Sequence, residues 1–146
     1  MEWKICTPED IPQLSELNGQ LHEDEGAVPM ETADREARLS RWIGSDYTAV
    51  LFSIQSQTLG YTLFRSTDPD SEGLDQGVFI RQFFVIRDQR QQGIGRQMFH
   101  ILREHVWKNG CGILLDTEYE NSRAQAFWRS LGFSEHHVSF IRRPSG

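Results

Sequence analysis

The chain has 146 residues, 38% hydrophobic and 11% aromatic, which suits one packed domain over residues 1–146 and excludes wholesale disorder. Its 15 basic and 21 acidic side chains leave a formal charge of −6, which argues against nucleic-acid binding, where a basic face is the usual footprint. No apolar run is long enough to cross a bilayer and "MEWKICTPED" lacks a basic-then-apolar leader, so a cytoplasmic protein with no membrane partner is expected.

In chain order, "WKIC" reads as an opening strand. "TPEDIPQLSELNGQL" then carries helix-start chemistry, with Thr7 as N-cap, Pro8 in the first turn and Glu9 and Asp10 at the positive end of the dipole. Ile11, Leu14, Leu17 and Leu21 recur at helical spacing. A break at Gly26 and Pro29 precedes a second, polar helix that ends near Gly44. "YTAVLFSI" and "LGYTLFRS", joined by "QSQT", predict a hairpin, and "TDPDSEGLDQG" predicts a loop. "VFIRQFFVI" is a strong strand, followed by a glycine loop and a helix with Ile94, Met98, Ile101, Leu102 and Val106 on its core face. "CGILLDT" reads as a buried strand, "NSRAQAFWRSLGF" as a helix stopped by Gly132, and "HHVSFIRR" as a last strand.

That order, β-α-α-β-β-β-α-β-α-β, implies a mixed sheet covered by helices, parallel across the helix between "VFIRQFFVI" and "CGILLDT". Cys6 and Cys111 form no CxxC and read as reduced thiols. No metal is expected, because HExxH is absent and His136 and His137 point to opposite faces of a strand.

The chemistry concentrates in "RQQGIGRQ". Gly93 and Gly95 sit where a helix begins, and a helix N-terminus offers unpaired N–H groups and partial positive charge. Glycines let a phosphate approach closely, and Arg90 and Arg96 add charge, so the stretch is either a pyrophosphate cradle or a solvated basic loop. It is not a Walker motif, and the third glycine of GxGxxG would fall at Met98.

"RQQGIG", residues 90–95, matches the [QR]-x-x-G-x-[GA] signature of the GNAT superfamily of N-acetyltransferases. "NSRAQAFWRSLGF", residues 121–133, resembles that family's N-x-x-A-x-x-F-[YW]-x-x-x-G-F segment, and the spacing between the two also fits. The resemblance spans most of the chain. It implies an α/β (α+β) fold with a mixed, mostly antiparallel sheet of six to seven strands and about four flanking helices. It also implies acetyl-CoA (coenzyme A) as co-substrate. The backbone of Phe84, Val85 and Ile86 would pair with the pantetheine arm, and Arg90, Gln91, Gln92, Gly93, Ile94, Gly95 and Arg96 would cradle the phosphates. Asn121, Ala124, Phe127 and Trp128 complete the cofactor set.

Direct attack on the thioester needs a neutral amine, and a lysine-like amine with a pKa of about 10.4 is only ~10⁻³ neutral at pH 7. Relatives carry a glutamate where this chain has Arg81 and Gln82, and a tyrosine where it has Trp128. Glu118 and Tyr119 are the candidate base and acid in their place. On the acceptor side, Glu23 and Glu25 suit a cationic small-molecule amine such as a polyamine or aminoglycoside, whereas Arg81 suits an amino-acid-like one. A protein amine is a weaker expectation, and a homodimer is compatible with exposed strand edges. A CoA-binding sensor or assembly module with little turnover is the alternative.

Overall fold

A computed structural model describes residues 1–145. Among them are five strands and five helices: β1 (Glu2–Ile5), α1 (Ile11–Glu25), α2 (Thr32–Ile43), β2 (Thr48–Ile54), β3 (Gln57–Ser66), α3 (Pro69–Glu72), β4 (Val78–Val85), α4 (Ile94–Ile101), β5 (Ile113–Leu115) and α5 (Ser122–Ser130). They fall into two compact units, Met1–Asp116 with all five strands, and a second from Thr117 that carries α5.

Local chemistry sets most boundaries. Thr7 caps a 3₁₀ turn (Pro8–Asp10) in a reciprocal capping box, its backbone N–H donating to Asp10 Oδ2 at 2.8 Å. Pro12 therefore falls in the first turn of α1, where a missing N–H removes no helical bond. Gly26, at φ 68°, ends α1 in the left-handed conformation. The β2–β3 hairpin turns at Gln55 and Ser56, both at positive φ (51° and 69°), as the twist of a two-residue hairpin requires.

The first unit is one sheet in the order β1-β2-β3-β4-β5, antiparallel except for the parallel β4–β5 pair. The mixed, mostly antiparallel sheet is as expected, but the count of six to seven strands is corrected to five. "HHVSFIRR" forms no strand: Val138, Phe140 and Ile141 stand exposed, and alternation makes no strand without a neighbour to take its backbone hydrogen bonds. About four helices become five because α3 forms within the stretch read as a loop. There the Asp68 carboxylate accepts the Asp70 N–H at 3.0 Å, Pro69 opens the turn, and Gly73 closes it at φ 70°.

Register decides the faces. Leu63 pairs with Gln82 but Phe64 with Ile80, so Arg81 is the extra residue of a β-bulge. Below the bulge Ile80 shares a face with Phe64; above it Gln82 and Phe84 share the other with Leu63 and Tyr61. Leu14, Leu17 and Leu39 of α1 and α2 pack on that second face against Leu51, Tyr61, Leu63 and Phe84. On the opposite face Met98, Phe99 and Leu102 are buried, and the Trp107 ring meets Phe64 and Phe99 edge-on at 5.6 and 5.9 Å.

Candidate active site

β4 passes through a 3₁₀ turn (Arg87–Gln89) into the glycine loop, and Gly93 is the N-cap of α4. Gln91 and Gly93 both have positive φ, 63° and 77°. Left-handed residues spaced among ordinary ones turn successive N–H groups to one side, which makes an anion nest. Gln91 is a non-glycine in that region, a conformation that persists only where its surroundings enforce it. A Cβ on Gly93 would meet nothing within 4 Å, so the space directly above it is open. Gly95 and Arg96 lie in the first turn of α4, whose N–H groups have no intrahelical acceptor. Ile94 is buried and anchors the helix, whereas Gln91 and Gln92 are exposed.

Arg90 does not point only at that nest. Its guanidinium pairs with Asp24 of α1, as does that of Arg87, and its Nε donates to the Val85 carbonyl at 2.9 Å. Burial would raise the Asp24 carboxyl, but Arg90 and Arg87 outweigh it and hold it below the usual carboxylate range. Asp24 thus tethers the loop to the end of α1.

β5 pairs with β4 only from Val78 to Ile80, so among the described residues β4 beyond Ile80 has no strand partner on that side. Ile86 donates its N–H to Leu59 of β3 at 2.9 Å, and antiparallel pairing alternates. Phe84 and Ile86 therefore direct their backbone groups to β3, while Phe83 and Val85 direct theirs away from it, where the Val85 carbonyl is taken by Arg90 Nε. Of the three residues expected to pair with the pantetheine arm, Val85 is the one with the right parity. Phe83, which the sequence reading passed over, is the second.

Next to the bulge lies a polar network on the α1–α2 face. Gln82 Oε1 accepts from Tyr61 Oη at 2.7 Å and from Asn18 Nδ2 at 3.2 Å, and Asn18 Oδ1 accepts from Arg38 Nη2 at 3.1 Å. Burial, aided by Glu25, pushes the Tyr61 hydroxyl well above its ordinary range against the opposing Asn18 hydrogen bond, so it stays protonated. His22 Nε2 lies 2.9 Å from Arg38 Nη2 and must accept from it, which places the proton on Nδ1. Nδ1 is buried with no partner among the described residues. Burial first, then Arg38 and Arg35, lower the His22 pKa, so the ring is neutral at pH 7 but has no lone pair to offer. Neither Tyr61 nor His22 can serve as a base.

A cleft of about 510 Å³ opens where α1 faces the end of β4, with Phe84 and Ile86 as apolar wall and a rim of Glu16, Glu23, Asp88 and the Asp24–Arg87 ion pair, acidic on balance. The structure so joins Glu23 to the end of β4. Arg81 stands elsewhere: it lies over Trp42 at 4.6 Å and donates to Tyr47 Oη at 3.3 Å. Glu25 is exposed, and its charge acts on Tyr61 and Arg38.

In the second unit Asn121 is the N-cap of α5, its Oδ1 accepting the Ala124 N–H at 3.1 Å. Trp128 is buried, with its ring against Phe127 at 4.9 Å and Phe133 at 5.2 Å. The carbonyls of Glu118 and Tyr119 both accept from Gln125 Nε2, which folds that segment onto the helix start, and the Tyr119 ring is 91% exposed. Asn18, Tyr61 and Arg38 escaped the sequence reading because each reads as an ordinary helix or strand residue; only Gln82, at the bulge, was flagged by position.

Residues 12–133 match the family model described as "Acetyltransferase (GNAT) family". None of the curated proteins gives a significant match. Among solved structures, a "possible acetyltransferase" from Clostridium difficile 630 superposes with a TM-score of 0.77 at 15% identity, over 99% of this chain and 97% of that one. A tetramutant of the BH1408 protein from Bacillus halodurans gives 0.78 at 22% identity, over 99% and 100%. The structure of AAC(6')-Iy with the bisubstrate analogue CoA-S-monomethyl-acetylneamine gives 0.77 at 19% identity, over 99% and 98%. At these identities the likeness establishes the fold.

Proposed function

The chain belongs to the acetyltransferase (GNAT) family, and from that premise we propose that it moves an acetyl group from acetyl-CoA to the primary amine of a small molecule. The observation that carries this reading is the left-handed pair Gln91 and Gly93 leading into α4, immediately after a strand that runs past its pairing with β5, which ends at Ile80. These residues fit the co-substrate: a nest with open space for the phosphates, and a Val85 N–H directed away from β3 for the arm. Acetyl-CoA supplies the activated acetyl group. Gly93, Ile94, Gly95 and Arg96 would hold its phosphates through backbone N–H groups, and Val85 would present an N–H toward the developing oxyanion, a contact worth roughly 3–4 kcal/mol in other enzymes. Asn121 and Trp128 enter as cofactor contacts on their place in the family motif, with residues 1–146 acting as one domain.

The acidic rim around Phe84 and Ile86 would gather the cationic amine, with Glu23, which lines it, as a candidate to take up its proton. Glu118 and Tyr119 remain the candidates from the second unit. The AAC(6')-Iy structure holds an aminoglycoside-derived bisubstrate analogue, which supports a small-molecule acceptor. A CoA-binding module with little turnover draws its support from Gln82, whose amide is committed to Tyr61 and Asn18 where relatives carry a base.

The test is the thermal midpoint with and without acetyl-CoA, on the wild type and on Gly93→Trp checked for fold by circular dichroism. Ligand at ~100-fold over its dissociation constant adds about 2.7 kcal/mol, a rise of several degrees for a chain of this size. We expect that rise in the wild type and its loss in the variant. An unchanged wild-type midpoint at millimolar acetyl-CoA would remove the proposal.

A further inference from the structure

β1 is the outermost strand of the sheet, paired only with β2, and all its residues are exposed. Cys6, just past its end, donates its N–H to the Ala49 carbonyl at 2.9 Å, continuing the register that sets Ile5 opposite Val50. Antiparallel pairing alternates, so Glu2 and Lys4 also direct their backbone groups to β2, while Trp3 and Ile5 direct theirs outward. No strand takes those outward groups among the described residues. The Trp3 ring stacks on His105 at 6.1 Å yet is 38% exposed, and Ile5 is 52% exposed.

An edge strand is commonly protected by a lysine, whose charge repels a second edge. Lys4 does not protect this one, because Glu2 stands on the same face two residues before it. Lys4 Nζ pairs with Asp10 at 2.9 Å, but the side chain is 59% exposed and an ammonium has donors to spare. Glu2 makes no ion pair among the described residues.

A twofold axis normal to the sheet sets two such edges antiparallel, with facing residues on the same face. The axis can fall at Trp3, Lys4 or Ile5. At Lys4 it brings two ammoniums opposite each other, which is destabilising. At Ile5 it sets Lys4 against the buried Cys6 and leaves Glu2 without a partner. At Trp3 it sets Glu2 of each copy against Lys4 of the other, Trp3 against Trp3, and Ile5 against Met1. Trp3, whose backbone groups point outward, then exchanges both hydrogen bonds with its counterpart.

We infer that β1 pairs with β1 of a second copy of this chain, centred on Trp3, giving a homodimer with one sheet continuous across both subunits. The seam lies at the opposite edge from β5, so it uses neither β4 nor the glycine loop.

Sedimentation equilibrium of the whole chain, from micromolar to millimolar concentration, gives the dimer dissociation constant. The variants are Lys4→Glu, Glu2→Lys, the exchanged pair that carries both substitutions, and Trp3→Pro. We expect a dimer in the wild type and a dissociation constant about tenfold or more higher in each single charge variant, where like charges face at two places. The exchanged pair should recover toward the wild type. It also lacks the Lys4–Asp10 contact, so that recovery cannot come from the fold. Trp3→Pro removes an outward N–H and no bond to β2, so it should be folded by circular dichroism and monomeric. A wild type that stays monomeric across the range overturns the inference. So does a dimer that the single charge variants leave unchanged, or one that the exchanged pair fails to restore. Should Trp3→Pro not fold, the exchanged pair decides alone.

Discussion

At the scale of single residues, hydrogen bonds from Tyr61 and Asn18 hold the Gln82 amide in a structural role. Tyr61 is fully buried, and its hydroxyl donates to Gln82 while receiving from Asn18. Tyr61→Phe keeps the ring but leaves Gln82 Oε1 and Asn18 Nδ2 short of a partner, and an unsatisfied buried polar group costs about 1–3 kcal/mol. Urea unfolding should show that loss with an unchanged m-value. Cys6 is an inert neighbour of the same core: burial pushes its thiol up to about 12, so it stays protonated and unreactive near neutrality.

At the scale of elements, the β3–β4 pair frames the candidate site, because it carries the bulge at one end and the outward-directed Val85 N–H at the other. Gly60 of β3 makes the approach possible: a Cβ there would stand 2.1 Å from the Phe84 carbonyl oxygen. That neighbour is backbone and cannot swing away, so Gly60→Ala must shift β3 against β4. Overpacking of this kind costs about 1–3 kcal/mol, and we expect a matching fall in the denaturant midpoint. The same shift would move Val85, so the acetyl-CoA dissociation constant should rise in this variant. Gly93→Ala, by contrast, meets open space and has only its positive φ to overcome.

For the whole molecule, the response to acid follows from which groups the fold favours in which charge state. The folded pKa of His22 is depressed, so its contribution is complete above the unfolded value of about 6.5 and is lost as pH falls below it. Asp10 and Asp24 are also held low, each against its own burial, by Lys4 and Thr7 and by Arg90 and Arg87. Their contributions persist to about pH 4 and vanish below that. The thermal midpoint should therefore decline in two stages on acidification from pH 8 to 3. His22→Gln should flatten the upper stage and leave the lower one. An upper stage that survives the substitution would assign it to another group.

The sequence by itself determined most of the elements and the glycine loop, because those depend on local chemistry: capping at Thr7, left-handed glycines at Gly26 and Gly93, apolar periodicity in α1 and α4. It also placed the family motifs, whose residues are near neighbours in the chain. Tertiary structure decided what depends on register and on partners from distant segments. The one-residue bulge at Arg81 reverses the faces of β4, and the Ile86–Leu59 bond makes Val85 rather than Phe84 the outward donor. Arg38, from a polar helix with no motif, joins Arg81 across Trp42 only when α2 packs on the sheet. "HHVSFIRR" has the alternation of a strand but no ladder partner, since hydrogen bonds between strands are made by pairs, and a single segment cannot specify its pair.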